Sequence, residues 1–291
     1  MSTLDYTGPD LGTTKLGIIS TKGGVGKTTL AANLAGLLVD LGQRVLLVDT
    51  DIQPSASSYY RIATTAPLGS AALIQCGELP PDRDRVVSRT DINRLDLVYS
   101  DLNPAVESWV LHTSDGRLRL RNALRSLAPH YDAIVVDSQG AAGPLMDAVL
   151  LAVDQVVTPV PPQVLAAKEL TRGTLAAVDG VQSLRRLTGS QELPVQGLLY
   201  MTLRTTDSQS VADALTADAF LKDRPNLQFL NTRIPHRTVY PAAATARMPV
   251  HRKEPAPRAT DVSALQTMCA LARELFPHLA DAADALEARH D

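Results

Sequence analysis

The run Ser20-Thr21-Lys22-Gly23-Gly24-Val25-Gly26-Lys27-Thr28-Thr29 limits the possible folds of this chain more than any other part of its 291 residues. A glycine-rich loop that ends in Lys-Thr holds phosphate on backbone N–H groups, and its usual setting is between a strand and a helix. Gly23, Gly24 and Gly26 supply the backbone freedom and the close approach to oxygen that such a loop needs. Upstream, Lys15-Leu16-Gly17-Ile18-Ile19-Ser20 is a short apolar run of the kind found in buried parallel strands. Downstream, Leu30, Leu34, Leu37, Leu38 and Leu41 fall on one stripe of a helix from Lys27 to Leu41, with Gly42 as its stop. A glycine-rich turn with a chance lysine would leave both flanks unexplained.

The usual pattern is G-x-x-x-x-G-K-[ST]; here Thr21 replaces the leading glycine and Lys22 is an additional cation. Lys27, Thr28, Thr29 and the loop amides Gly23 to Gly26 are sufficient for a nucleoside triphosphate and its magnesium. Lys22 therefore calls for a second explanation.

Further strands are expected at 44–49, 95–100, 133–137, 155–159 and 196–202, with a short one near 228–230. Helices are expected between them, at 69–76, 116–127, 144–152, 165–187 and 208–222. That alternation predicts a doubly wound, mostly parallel α/β sheet with helices on both faces. The expected organisation is a flexible arm at 1–14, one domain over 15–278 that includes a closing helix at 261–276, and an acidic tail at 279–291. Pro80-Pro81-Asp82 and 252–259 read as surface connections.

Hydrophobic residues make up 45 % and charged residues 20 %, ordinary values for a soluble domain. No apolar run approaches the roughly 18 residues of a membrane span, and the first fifteen residues carry no signal-peptide core. Cys76 and Cys269 stand far apart without metal spacing. Together these features predict a cytoplasmic protein. Net charge is only −3, but it is patterned. Arg233, Arg237, Arg247, Arg252, Lys253 and Arg258, with His236 and His251, face a single acid, Glu254. An acidic stretch follows, with Asp261, Glu274, Asp281, Asp284, Glu287 and Asp291 against Arg273 and Arg289. The basic segment is a candidate surface for DNA phosphates; a solvated face without a partner is the plainer reading.

Two more strings carry chemistry. Asp49-Thr50-Asp51-Ile52-Gln53 closes a strand where ligands bind in open α/β sheets, and residues two apart face the same side. Tyr131-Asp132-Ala133-Ile134-Val135-Val136-Asp137 ends an apolar strand in an acid that can hold magnesium through water while Thr28 ligates it directly.

The string K-G-G-x-G-K-T-T, joined to D-x-D-x-Q, resembles the deviant phosphate loop of the ParA/MinD ATPase superfamily, closest to ParA/Soj-type partition ATPases of plasmids or integrative conjugative elements. Ser138-Gln139-Gly140 and the stretch 111–121 resemble the conjugative-element subgroup, whereas most relatives place Cys or Thr and two prolines after the strand-end Asp. The resemblance implies a P-loop NTPase fold with ATP and Mg2+ as cofactors. It further implies that Lys22 reaches the nucleotide of a second subunit, that Asp51 orients or activates the attacking water, and that Asp49 supports the magnesium shell. By the same resemblance, Thr158-Pro159-Val160-Pro161-Pro162-Gln163 precedes the long helix of a dimer interface. Pro235, within Asn231-Thr232-Arg233-Ile234-Pro235, lies against the adenine. The implied partners are a second copy in the presence of ATP, non-specific DNA on Arg233, Arg237, Arg247, Arg252 and Lys253, and a ParB-type protein that stimulates weak hydrolysis. No helix-turn-helix fits in the short arm, so operator-specific repression is not expected. A MinD-like membrane-associated positioning ATPase is the alternative, against which the acidic tail counts. A reductase relative would need cluster cysteines near the switch loops, and a phosphotransferase would leave Lys22 unexplained.

Overall fold

The structure, a computed structural model, describes residues 12–77, 82–222, 224–257 and 261–290. In chain order its strands are β1 (Thr14–Ile18), β2 (Val45–Thr50), β3 (Ile62–Thr64), β4 (Ser88–Thr90), β5 (Leu95–Val98), β6 (Ala133–Ser138), β7 (Gln155–Val160), β8 (Val195–Thr202) and β9 (Leu227–Pro235). They form one sheet in the order β3-β4-β5-β2-β6-β1-β7-β8-β9. Neighbours run parallel except β3 against β4 and β4 against β5. The central strands β2 and β6 are buried at every residue, which is why they read as unbroken apolar runs rather than alternating ones.

The helices are α1 (Lys27–Asp40), α2 (Ser70–Cys76), α3 (Pro104–His112), α4 (Gly116–Leu127), α5 (Pro144–Ala152), α6 (Val164–Glu169), α7 (Ala176–Leu187), α8 (Thr206–Thr216), α9 (Asp218–Leu221), α10 (Val239–Thr245), α11 (Val250–Lys253), α12 (Ala264–Leu275) and α13 (Ala280–Glu287). One sheet face packs α1 and α10 to α13 onto Leu16, Ile18, Leu47 and Val135. The other packs α2 to α5, α7 and α8 onto Ile19, Leu46, Val48, Ile134 and Val136. Neighbours such as Leu46 and Leu47 serve opposite cores because strand side chains alternate.

Helix α1 shows how closely its surroundings fix the phosphate-loop helix. It ends in a Schellman motif: Gln43 N donates to Leu38 O at 3.0 Å and Gly42 N to Val39 O at 2.9 Å, with Gly42 at φ 92°. A side chain at Gly36 would collide with Pro249 and the Tyr60 hydroxyl. Asn33 links Thr29 O (2.7 Å), Tyr59 Oη (2.9 Å) and, through its own oxygen, Val250 N (2.6 Å).

The expected closing helix is α12, which starts with a capping box between Ser263 and Gln266 and buries eight of its twelve residues. The acidic stretch beyond it is not a detached tail. Residues 280–287 form α13, and Asp284 and Glu287 pair with Arg273 of α12. The expected arm at 1–14 lies outside the described residues except for 12–14, of which Thr14 already belongs to β1. Of the connection Pro80-Pro81-Asp82, only Asp82 is described. The expected helix 165–187 is interrupted by a π-helical turn, Leu170–Leu175, and the one at 208–222 divides into α8 and α9. Strand β9 is longer than the expected 228–230. The elements β3, β4, α3, α10 and α11 had no counterpart in the sequence reading.

The basic segment is more internally paired than its composition indicates. The Arg237 guanidinium donates to buried Glu254 at 2.7 Å and to Val262 O at 3.0 Å. Arg252 is paired with Asp40 of α1 at 2.6 Å. Arg233 makes a looser contact, 3.9 Å, with Asp213 of α8. Carboxylates distant in sequence thus enter a segment that seemed to hold only one. Although burial pulls the Asp40 carboxyl upward, hydrogen bonds from Arg252 and His251 hold it well below the usual carboxylate range.

Glu254 also accepts from Ala264 N at 3.1 Å, tying the end of β9 to the start of α12. Removing it strands a largely buried cation. Glu254→Ala is expected to cost about 3 kcal/mol of unfolding free energy, read as a lower urea midpoint with an unchanged slope.

Candidate nucleotide-binding site

The carboxyl ends of β1, β2 and β6 share one rim. The register sets Ile18 beside Asp137 and Asp137 beside Asp49, so the loop leaving β1 rises directly over both acids. Along that loop Gly24 and Gly26 adopt φ of 73° and 92°, the left-handed region that favours glycine. Gly26 is required twice, because a Cβ there would also run into the ring of Tyr200 on β8. As the N-cap of α1, Gly26 carries no capping side chain, so the first-turn N–H groups stay available for an anion.

Lys27 is buried, and its Nζ donates to Lys22 O at 3.3 Å. Burial lowers its pKa, opposed by the charges of Asp137 and Asp51. Thr28 Oγ1 donates to Asp137 Oδ2 at 2.7 Å. Burial pushes the Asp137 carboxyl up to about 8; the charges of Asp49 and Asp51 add to the rise, while the Thr28 hydrogen bond and Lys27 oppose it. Its other oxygen, Oδ1, is buried without a hydrogen-bond partner among the described residues. A threonine hydroxyl beside an under-satisfied carboxylate suits a hydrated divalent cation shared with phosphate oxygens. Among the described residues no three His, Cys, Asp or Glu side chains cluster as a self-sufficient metal cage.

Asp49, expected to support the magnesium shell, has both oxygens hydrogen-bonded within the chain. Its Oδ1 accepts from Asp51 N at 3.0 Å, and its Oδ2 accepts from Ser57 N and Ser57 Oγ, both at 2.7 Å. Both oxygens shape the loop that carries Asp51, whose own Oδ1 accepts from Gln53 N at 2.9 Å. The Asp pair therefore divides into a buried loop-holder and a half-buried acid near Lys27 and Asp137.

The segment after Asp137 folds onto the phosphate loop. Ser138 Oγ donates to Ile18 O at 3.0 Å, and a Cβ on Gly140 would stand 3.1 Å from Lys27 Nζ and 3.3 Å from Gly23 Cα. Gln139 Nε2 donates to Glu107 Oε1 on α3 at 3.1 Å. Glu107, Tyr200 and Thr174 are site-shaping residues that no motif marked. The local signal that could have found the helix carrying Glu107 is Asn103 followed by Pro104, an N-cap and an N1 proline.

Pro235 lines an open cleft of about 490 Å3 with Thr202, Leu203, Arg204, His236 and Arg237. Strand β8 links the two places: Tyr200 underlies Gly26, and Thr202 lies two residues further along, about 7 Å in a strand. Between them the β8–β9 register shifts and Met201 takes φ 57°, turning the strand end toward the cleft. Arg247, Arg252 and Lys253 are exposed, and Arg252 pairs with Asp40 at the end of α1 away from the phosphate loop; Arg258 lies outside the described residues.

Residues 13–186 match the family model described as an AAA domain, a span holding every phosphate-loop residue, Asp49, Asp51 and Asp137. The chain belongs to the ParA/MinD branch of this family. It is 34 % identical over 162 residues to the sporulation initiation inhibitor protein Soj of Bacillus subtilis, covering 54 % of this chain and 62 % of Soj. It is 29 % identical over 214 residues to the chromosome partitioning protein ParA of Caulobacter vibrioides, covering 72 % and 77 % of the two chains. The match thus spans less than two thirds of Soj's own length. Cobyrinic acid a,c-diamide synthase of Mycobacterium smegmatis, solved with an ATP analogue and magnesium, superposes with a TM-score of 0.65 at 26 % identity over 81 % of this chain and 91 % of that one. Pro235 and the candidate DNA-binding residues lie beyond the region matched by the AAA model.

In this ParA/MinD-type chain the tightest constraint on the loop is Gly26. Gly26→Ala combines left-handed strain with a clash against Tyr200. It is expected to destabilise the fold by about 1–3 kcal/mol, measured as a drop in thermal midpoint.

Proposed function

We propose that the protein is a DNA partition ATPase that closes into a homodimer on ATP and Mg2+, binds DNA without sequence preference, and releases it on hydrolysis. The observation that carries this reading is the second lysine: Lys22 stands in a loop where Lys27 is already buried against the phosphate position and Thr28 against Asp137. A cation in excess of one nucleotide's needs has a use if it neutralises charge on the nucleotide of a facing copy. Between two subunits, away from water, such a contact is worth several times its value at a surface. The name of the relative from Caulobacter vibrioides, a chromosome partitioning protein, supports partition as the process.

Within this reading Lys27 and the amides of Gly23, Gly24, Val25 and Gly26 bind the phosphates, with Thr29 in the first turn beside them. Thr28 and Asp137 hold the magnesium, which supplies charge neutralisation at the phosphates when bound. Asp49 fixes the Asp51 loop, and Asp51 orients the attacking water. The cleft beside Pro235 is the place for the base, given its position past Tyr200. A ParB-type protein is the expected stimulator of hydrolysis. Arg247 and Lys253 offer exposed charge for DNA phosphates, Arg252 beside them is exposed but paired with Asp40, and Arg233 lies earlier in the same segment. The MinD-like membrane alternative gains no support from α12, whose only cation, Arg273, pairs with α13.

Two substitutions separate the lysines. Lys27→Ala is expected to abolish ATP binding in a nucleotide titration. Lys22→Ala should keep ATP affinity within about twofold yet yield no ATP-dependent dimer on a sizing column; a normal dimer would remove the basis of the reading.

A gel shift on random DNA tests the output. Binding is expected with ATP and not with ADP, and it should weaken at least about tenfold between roughly 50 and 200 mM salt, even for two phosphate contacts. Arg247→Glu with Lys253→Glu should remove the shift while leaving ATP turnover. Arg237→Glu is a poor probe because it breaks the largely buried pair with Glu254.

A further inference from the structure

The phosphate loop is held unevenly. On its outer side the loop leaves room beside Gly23 and Gly24: a Cβ on either would find no atom within 4 Å. On its inner side the loop is pinned at Thr21, the residue that replaces the usual leading glycine. Thr21 N donates to Thr174 Oγ1 at 3.2 Å, and the two hydroxyls lie 3.4 Å apart. Thr174 is 1 % exposed and belongs to the π-helical turn Leu170–Leu175 between α6 and α7. Its neighbour Gly173 packs so close that any Cβ there would overlap Thr21 Oγ1 and come within 2.9 Å of Thr21 Cβ. Turning the side chain of Thr21 could relieve the first overlap but not the second.

Consecutive residues on an α-helix point about 100° apart, so both would not ordinarily face one neighbour. In the π turn Gly173 and Thr174 nevertheless both lie against Thr21. The next residue is Lys22. Its N–H donates to Ser20 Oγ at 3.2 Å and its carbonyl accepts from Lys27 Nζ at 3.3 Å. The backbone of Lys22 is thus fixed from below, and Lys22 shares a small cleft with Ala166, Glu169, Leu170 and Thr174.

We infer that Gly173 and Thr174 are positioning residues that fix the Thr21–Lys22 backbone, so that the Lys22 side chain is aimed out of its own site toward a second copy. A lysine on an unanchored glycine loop would lose much of its reach to side-chain and backbone disorder. Thr21 in place of glycine supplies the hydroxyl and the restricted backbone that such an anchor needs. The inference rests on the reading of Lys22 proposed above, and its test keeps the two apart.

The full chain is compared with Thr174→Val, Thr174→Ser, Gly173→Ala and Lys22→Ala. Each is titrated with ATP and magnesium for affinity, followed by light scattering for dimer formation, and melted to verify folding. Thr174→Val, nearly the same shape without a polar acceptor, is expected to bind ATP within about twofold of the parent but to need at least about tenfold more protein to dimerise. Thr174→Ser should restore dimerisation, which a merely structural role in packing the methyl group would not produce. Gly173→Ala presses on Thr21 from the other side and should give the same split between affinity and dimerisation. If Thr174→Val and Gly173→Ala dimerise like the parent while Lys22→Ala does not, the anchoring inference is overturned alone. If Lys22→Ala dimerises normally, the reading of Lys22 is overturned and this inference falls with it.

Discussion

A buried ammonium group that its own chain only partly neutralises governs the architecture of the site. Lys27 lies under the phosphate loop, with a backbone carbonyl as its close hydrogen-bond partner and the carboxylates of Asp137 and Asp51 as longer-range opposites. Asp137 is itself buried beside Asp49, so the acids destabilise one another and the carboxyl is pushed up to about 8. Such an arrangement is costly in isolation. In the proposed reading it would become favourable when a polyanion and a divalent cation enter together, the anion meeting Lys27 and the loop amides, the cation meeting Thr28 and Asp137.

The rest of the fold serves to keep that arrangement still. Parallel strands bring Ile18, Asp137 and Asp49 into one register. Tyr200 supports the loop from β8, and Gly36 allows α1 to lie against Pro249 and Tyr60. Asn33 joins the first turn of α1 to Val250 at the start of α11, so the phosphate-loop helix and the exposed basic segment form one packed unit. The C-terminal acidic helix packs Ala283 and Leu286 onto the same core, and its Asp284 and Glu287 pair with Arg273.

Much of this was legible in the residues. The loop string, the leucine stripe of α1, Gly42 as its stop and the apolar runs of β2, β6 and β7 each depend on local order, and the structure reproduces them. The elements that escaped are short or marginal. Strands β3 and β4 have three residues each, too few to show a period, and α11 has four. α13 hid behind its acidic composition, since a charge run reads as a solvated tail until its partner cation is known. The π turn escaped because a single extra residue in a helix leaves no trace in an amphipathic pattern.

The sequence alone determined the nucleotide loop, the parallel α/β class and the identity of the acids at the strand ends, because each is set by neighbours within a few positions. Tertiary structure decided which charges are available. Arg237 met Glu254, Arg252 met Asp40 and Asp49 met Ser57 through contacts that a linear count of charges does not record. It also decided how the loop is braced, since Thr174 lies 153 positions from Thr21 and Tyr200 comes from a different strand. The reason is physical: local order follows from backbone preference and periodicity, whereas desolvation and hydrogen bonding depend on whichever distant groups the packed core brings within about 3 Å.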